Sequence, residues 1–176
     1  DVTVSRGLGD VYKRQRQNLP SVRKKHQFAN LVSKGGYILE EASKNRRVIL
    51  IATGSEVSIA LKARELLEDK GIGTRVVSMP CMELFSQQDE TYKRRVLPSG
   101  QAIRIGIEAG VRTGWDEWLL GHRARANKSS FVGMKSFGAS APAEVLFNHF
   151  GITPDRIASE ATNPVSYTHL RAHETQ

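Results

Sequence analysis

The sequence has a single cysteine, Cys81, and this scarcity excludes several classes of protein. One thiol cannot form a disulfide within the chain, and no Cys/His spacing indicates a zinc site. The chain therefore suits a reducing compartment, and we expect the cytoplasm, with organellar targeting left open. Because no base lies near Cys81 in the sequence, we predict a packed, inert thiol and no nucleophile.

Long apolar runs are also missing, and acidic residues are comparatively few. No stretch approaches the roughly 18 consecutive apolar residues of a membrane-spanning helix, so we expect no membrane segment. Lys and Arg number 26 against 18 Asp and Glu, which gives a formal net charge of +8. The basic residues are spread over separate segments without interleaved aromatics, which argues against nucleic-acid binding. A diffuse positive field suits small anionic molecules instead.

The region from Val48 to Met79 predicts a strand, a helix and a second strand. Val48–Ala52 is an unbroken apolar run rich in β-branched residues, as in strands buried on both faces. The turn at residues 53–56 leads into a helix that runs to about Lys70, and Gly71 ends it in a left-handed conformation. Arg75–Met79 is the next strand. These elements form a βαβ unit, for which we expect a right-handed crossover.

Similar patterns predict the remaining elements. They are an edge strand over Gly36–Glu40, a loop after Pro80, a helix over Asp89–Val96, a strand over Ala102–Ala109, a helix from Ala141 to Phe150 that ends at Gly151, and a last helix with Thr153 as N-cap and Pro154 at its first position. Alternating strands and helices predict an α/β fold with three αβα layers around a mostly parallel, mixed sheet.

The two ends do not fit this pattern. Residues 1–15 and 164–176 show no sustained periodicity with an apolar face, and they look like translated adapter sequence. We interpret both as non-native or disordered flanks. Residues 16–163 then form one domain of ordinary size.

Six segments, in a fixed order, resemble the C-terminal domain of transketolase. They are RQNLP at Arg16–Pro20, GGYIL at Gly35–Leu39, IATGSEV at Ile51–Val57, RVVSMPCMELF at Arg75–Phe85, IEAG at Ile107–Gly110 and FGASAPAEVLF at Phe137–Phe147. The resemblance covers nearly the whole chain, although residues 121–130 depart from the family pattern.

The resemblance implies a role within a larger enzyme. Transketolases move a two-carbon ketol unit between sugar phosphates, with thiamine diphosphate and a divalent metal, Mg or Ca, in a homodimer. The groups that hold the cofactor belong to N-terminal and middle domains, which this chain lacks. We therefore expect no catalytic, cofactor-binding or metal-binding residue here, and an isolated chain that is inactive. Its contributions are dimer packing and Arg16, whose guanidinium suits a substrate phosphate.

Several alternatives stay open. Related thiamine-dependent enzymes such as dihydroxyacetone synthase share the domain, although RQNLP with SAPAEVLF favours transketolase. A function of another class is a stand-alone small-ligand or nucleotide-binding module, because the turn Gly54-Ser55-Glu56 at a strand end suits either helix capping or an anion. Trp115 and Trp118 suit the core or a subunit interface. We interpret His26, His122 and His149 as surface or interface residues.

Overall fold

The structure is a computed structural model that describes residues 19–24, 29–100, 102–120 and 129–162. Arg16, His26 and His122, and both predicted flanks, lie outside these residues. Within them, the chain forms a mixed sheet flanked by helices. This confirms the predicted α/β class.

The described sheet has five strands in the order β1-β3-β2-β4-β5. Their bounds are Tyr37–Glu40 (β1), Arg46–Ala52 (β2), Gly73–Ser78 (β3), Ile103–Ile107 (β4) and Ser129–Val132 (β5). Strand β1 lies antiparallel to β3 at one edge, and the other neighbouring pairs are parallel. The predicted edge strand and the predicted βαβ pairing of β2 with β3 are both found.

The helices lie between these strands in the chain. Their bounds are Glu56–Asp69 (α1), Met82–Ser86 (α2), Glu90–Val96 (α3), Asp116–Leu120 (α4), Ala143–His149 (α5) and Pro154–Thr162 (α6), preceded by a short 3-10 helix at Leu31–Lys34. Two predicted helix ends are confirmed in detail: Gly71 has φ +74° after α1, and Thr153 Oγ1 accepts from Arg156 N–H at the start of α6. Asp89, predicted as the first residue of a helix, is the N-cap of α3 and accepts from Tyr92 N–H at 2.8 Å.

Side chains alternate across the sheet and so divide the core into two clusters. Val48, Leu50 and Ala52 of β2 point to the side covered by α1 and α6, whereas Ile49 and Ile51 point to the opposite side. The second cluster contains buried residues from α2, α3 and α4: Phe85, Val96, Trp118 and Leu119. Two apolar layers on one sheet are what a strand buried on both faces requires. The predicted αβα layering follows from this division.

Two elements differ from the sequence-based prediction. The loop expected after Pro80 contains α2, a single short helix that places Phe85 in the core with no exposed surface. Strand β5 lies where no strand is predicted, because only four residues, SSFV, form it. Both elements are held by contacts to distant parts of the chain, and short segments carry little periodicity of their own.

The GG pair before β1 is explained by close packing on α2. Gly35 has φ +74°, and a Cβ there would stand 2.4 Å from Cys81 O and 2.3 Å from Phe85 N. The N–H of Cys81 donates to Gly35 O at 3.0 Å. Only glycine allows this conformation and this approach together.

Candidate functional site

The candidate site is the crevice at the carboxyl ends of β2 and β4. The chain leaves β2 toward β3 on one side, while β4 lies on its other side, so the strand order reverses at this point. In open α/β sheets such a reversal is where ligands bind. The crevice lies between the turn after β2, residues 53–55, and the segment after β4, residues 108–110.

Glu56 fills this crevice. Its side chain belongs to the first turn of α1, and the residue is only 5% exposed. Oε1 accepts from Ala109 N–H at 3.1 Å, and Oε2 accepts from Ser55 Oγ at 3.1 Å. The carboxylate therefore joins the ends of β2 and β4 and satisfies an amide that a bound anion would otherwise use. A phosphate brought to the same place would meet a negative charge.

The turn does not act quite as the sequence suggested. Ser55 makes no side-chain hydrogen bond that caps α1, so the capping hypothesis is wrong for that hydroxyl. Glu56 instead contributes its charge at the positive end of the helix, where a carboxylate is stabilising. The sequence signal for this contact was weak, because its partner Ala109 lies 53 residues further along the chain.

Both tryptophans belong to the core. Trp115 and Trp118 are 1% and 7% exposed and lie in the same apolar cluster. Trp115 Nε1–H donates to Glu108 Oε2 at 2.6 Å, which ties the residue after β4 to the start of α4. Gly106 makes room for the indole, since a Cβ there would lie 2.8 Å from Trp115 Cε3. Of the two alternatives, core and interface, the structure therefore supports the core.

Two buried arginines hold the ends of helices rather than a ligand. Arg75 of β3 donates to the carbonyls of Arg95 and Val96 at 2.7 and 2.8 Å, and its Nε donates to Glu41 Oε1 at 3.0 Å. Burial acts to raise the pKa of Glu41, but hydrogen bonds from Arg75 and the Ala42 amide, with the charges of Arg75 and Arg46, outweigh it and lower that pKa. Arg75 thus has a carboxylate partner and caps α3.

Arg104 of β4 has only carbonyl partners among the described residues. It donates to Trp118 O at 2.6 Å and to Leu97 O and Pro98 O at 3.2 Å. Burial lowers the pKa of this guanidinium. It borders a cavity of about 730 Å³. Two charged residues that line the cavity, Lys93 and Glu90, already pair with each other at 2.6 Å. Because Arg104 donates to carbonyls at helix ends, we assign it to helix capping and not to ligand binding.

The remaining candidates offer no catalytic arrangement. Cys81 is partly exposed rather than packed, and its thiol donates to Glu83 Oε2 at 3.3 Å. The His149 ring lies against Phe150, with ring centroids 4.9 Å apart. Across the described ranges, no group of three His, Cys, Asp or Glu side chains could hold a metal. No helix in those ranges is long and apolar enough to cross a membrane.

The segment that follows β5 exposes an apolar surface. After β5, each of the residues 135–142 is exposed and none belongs to a helix or strand, and we call this segment the Phe137 arm. Phe137 is 98% exposed. Helix α5, which follows, has no buried residue, and its Val145 is also exposed. The arm and α5 coincide with the sixth of the ordered segments noted in the sequence.

Comparisons with known proteins agree with the resemblance. The family model described as Transketolase-like TK C-terminal domain matches residues 35–153. The transketolase of Rhodobacter capsulatus is 59% identical over 145 residues, which are 82% of this chain and 21% of that protein. Transketolase 2 of Escherichia coli is 40% identical over 146 residues, which are 83% of this chain and 21% of that protein.

Solved structures show the same likeness. The transketolase from Leishmania mexicana is 39% identical, with a TM-score of 0.64, and the match covers 74% of this chain and 18% of that chain. A Pichia stipitis transketolase in complex with sedoheptulose-7-phosphate is 37% identical, with the same TM-score and the same coverage. The chain spans about a fifth of the length of the curated relatives it matches.

Proposed function

The chain belongs to the transketolase family, whose C-terminal domain it matches, and on that premise we propose that it serves a longer ketol-transferring enzyme. That enzyme moves two-carbon ketol units between sugar phosphates in the cytoplasm, as a homodimer. The domain itself contributes packing against the rest of the enzyme and one substrate contact, Arg16. Dihydroxyacetone synthase, the related alternative, is not favoured by the comparisons, whose named relatives are transketolases.

One observation carries the proposal that the domain packs and does not bind a cofactor. The strand-end crevice, where an α/β domain would hold a nucleotide or a pyrophosphate, contains the Glu56 carboxylate bound to Ala109 N–H. A stand-alone ligand-binding module needs that position open and its amides free. The same observation argues against the small-ligand and nucleotide-binding alternative.

Thiamine diphosphate and its metal do not fit the described residues. The pyrophosphate would meet the charge of Glu56, and the described residues supply no cluster of metal ligands. We therefore place the cofactor in the preceding part of the longer enzyme. When bound there, it supplies the carbanion chemistry of ketol transfer.

The isolated chain tests this division of roles. With thiamine diphosphate, Mg²⁺ and sugar phosphates present, we expect no ketol transfer above background in a coupled assay, because the described residues offer the cofactor no site. Titration calorimetry with ATP should likewise give no saturable binding. Cofactor-dependent turnover, or saturable nucleotide binding that Glu56→Ala changes, would contradict the proposal.

Arg16 is proposed as the phosphate contact and is tested in a hybrid enzyme. In this hybrid, residues 16–163 replace the matching C-terminal part of the Rhodobacter capsulatus transketolase. Arg16→Ala should lower kcat/KM for phosphorylated substrates by roughly 10-fold to 100-fold, the scale of a lost charge-assisted hydrogen bond. Nonphosphorylated substrates should be almost unaffected, and Lys62→Ala, an exposed charge on α1, serves as the control. Equal losses for both kinds of substrate would leave Arg16 a structural role only.

A further inference from the structure

The Phe137 arm has the composition of a docking segment. Of its eight residues, all but Lys135 at its start are uncharged (136–142, SFGASAP), in a chain of which 25% is charged. One large aromatic residue stands among small ones, and its side chain contacts solvent over 98% of its surface. An isolated Phe on a surface is ordinary. Here it lies within eight consecutive exposed residues, beside a helix with no buried residue.

Both ends of the arm are tied to the domain by backbone hydrogen bonds. Met134 N–H donates to Gly110 O at 2.8 Å, in the segment that follows β4 and carries the exposed Val111. At the other end, Leu146 N–H donates to Pro142 O at 3.1 Å and starts α5. Pro142 also restricts the backbone at this second end. Held ends and one proline reduce the conformational entropy that the arm loses when it binds, which favours a specific contact.

We propose that the Phe137 arm docks on the preceding four fifths of the transketolase polypeptide, with Phe137 inserted into an uncharged apolar pocket. This inference rests on the proposed function. The matched relatives contain about five times the length of this domain, so most of the surface available to cover the arm belongs to that remainder. The small residues around Phe137 allow a close approach of backbones, and a buried aromatic anchor in a pocket is typical of contacts that dominate binding.

A second copy of this domain is the competing occupant. The sequence carries a formal net charge of +8, so two copies brought face to face repel each other. The arm itself has no acidic residue that could offset this repulsion, and Lys135 stands at its start. Charge therefore counts against self-association through this arm.

Photo-crosslinking in the hybrid enzyme tests the proposal directly. The variant Phe137→p-benzoylphenylalanine should, on irradiation, form a crosslink that peptide mass spectrometry maps to the preceding region, in the same subunit or its dimer partner. The matched control, Glu65→p-benzoylphenylalanine on the exposed side of α1, should give a crosslink yield at least 10-fold lower. A crosslink to another copy of residues 16–163 would overturn the proposal, and so would no crosslink above the control.

The outcome also separates this inference from the proposed function. A hybrid that turns over substrate but gives no Phe137 crosslink would overturn the docking inference alone. An inactive hybrid that gives the crosslink would support docking and count against the proposed function. An inactive hybrid without the crosslink would count against both.

A second variant measures how much the anchor contributes. Phe137→Ser should leave the thermal midpoint of the isolated domain unchanged, because the side chain packs against nothing within it. In the hybrid, protease cleavage between the domain and the preceding region should accelerate by 10-fold or more, because cleavage follows the population of the undocked state. The matched change of an exposed apolar residue on α2, Leu84→Ser, should not accelerate it. Equal rates for Phe137→Ser and the unaltered hybrid would overturn the role of Phe137 as the anchor.

Discussion

Replacing Glu56 by alanine should destabilise the domain, because this carboxylate joins the ends of two central strands. The variant leaves the Ala109 N–H without its partner at 3.1 Å and releases the Ser55 hydroxyl. The contact is partly buried and Ala109 itself is exposed, so its loss should cost about 0.5–1.5 kcal/mol of unfolding free energy, the net value of a typical hydrogen bond. Loss of a negative charge at the start of α1 adds about 0.3–1 kcal/mol.

Together with the released Ser55 contact, these losses should come close to about 2 kcal/mol of unfolding free energy. For a domain of this size, each kcal/mol lowers the thermal midpoint by roughly 2–4 °C, so Glu56→Ala should lower it by about 4–8 °C. Glu56→Gln keeps a carbonyl oxygen able to accept from Ala109 N–H. Glu56→Gln should therefore lower the unfolding free energy by less than half as much as Glu56→Ala.

Urea unfolding and thermal scans of the isolated domain would measure these differences. The matched control is Glu65→Ala, which removes an exposed carboxylate from the same helix and should change the unfolding free energy by less than about 0.5 kcal/mol. If Glu56→Ala has the stability of this control, Glu56 does not hold the crevice closed. The argument against a ligand site there would then lose its basis.

Two further predictions concern packing and pH. Gly35→Ala should lower the unfolding free energy by about 3 kcal/mol or more, because its Cβ would overlap Cys81 O in a left-handed backbone. Gly114 is also at positive φ but has open space around it, so Gly114→Ala should lower the unfolding free energy by only about 1 kcal/mol. Burial acts to raise the pKa of Glu68, but hydrogen bonds from Ser43 and Thr74 outweigh it and lower that pKa below 4.5. The ionised Glu68 therefore adds to the unfolding free energy above pH 4.5, and this contribution is lost as the pH falls through the folded-state pKa. Glu68→Gln should flatten the fall of the thermal midpoint below pH 4.5, whereas an unchanged slope would assign the acid sensitivity to other groups.

The central part of the fold could be predicted from local pattern. The apolar run of β2 and the stripe of α1 carry strong periodic signals, and the ends of α1, α3 and α6 are marked by glycine or capping residues. These features depend on residues close together in the chain. For that reason, the alternation of strands and helices and the αβα class are confirmed.

The missed features depend on contacts between distant residues. Helix α2 is fixed by Phe85 entering the core, and β5 is fixed by its register with β4, in which Ile107 pairs with Val132. The placement of Trp115 and Trp118 in the core could not be separated from an interface by helical spacing alone, because both surfaces are apolar. The closure of the crevice likewise depended on Ala109 reaching Glu56, which no local pattern indicates.

Turnover of the hybrid enzyme tests the central claim most directly. Three proteins are compared at equal concentration: the intact Rhodobacter capsulatus transketolase, its truncated form without the matching C-terminal part, and the hybrid that carries residues 16–163 of this chain. We predict that the hybrid transfers ketol units within about 10-fold of the intact enzyme and that the truncated form is much less active, since the domain restores packing but no chemistry. A folded hybrid no more active than the truncated form would contradict the assignment of this chain as a working transketolase C-terminal domain.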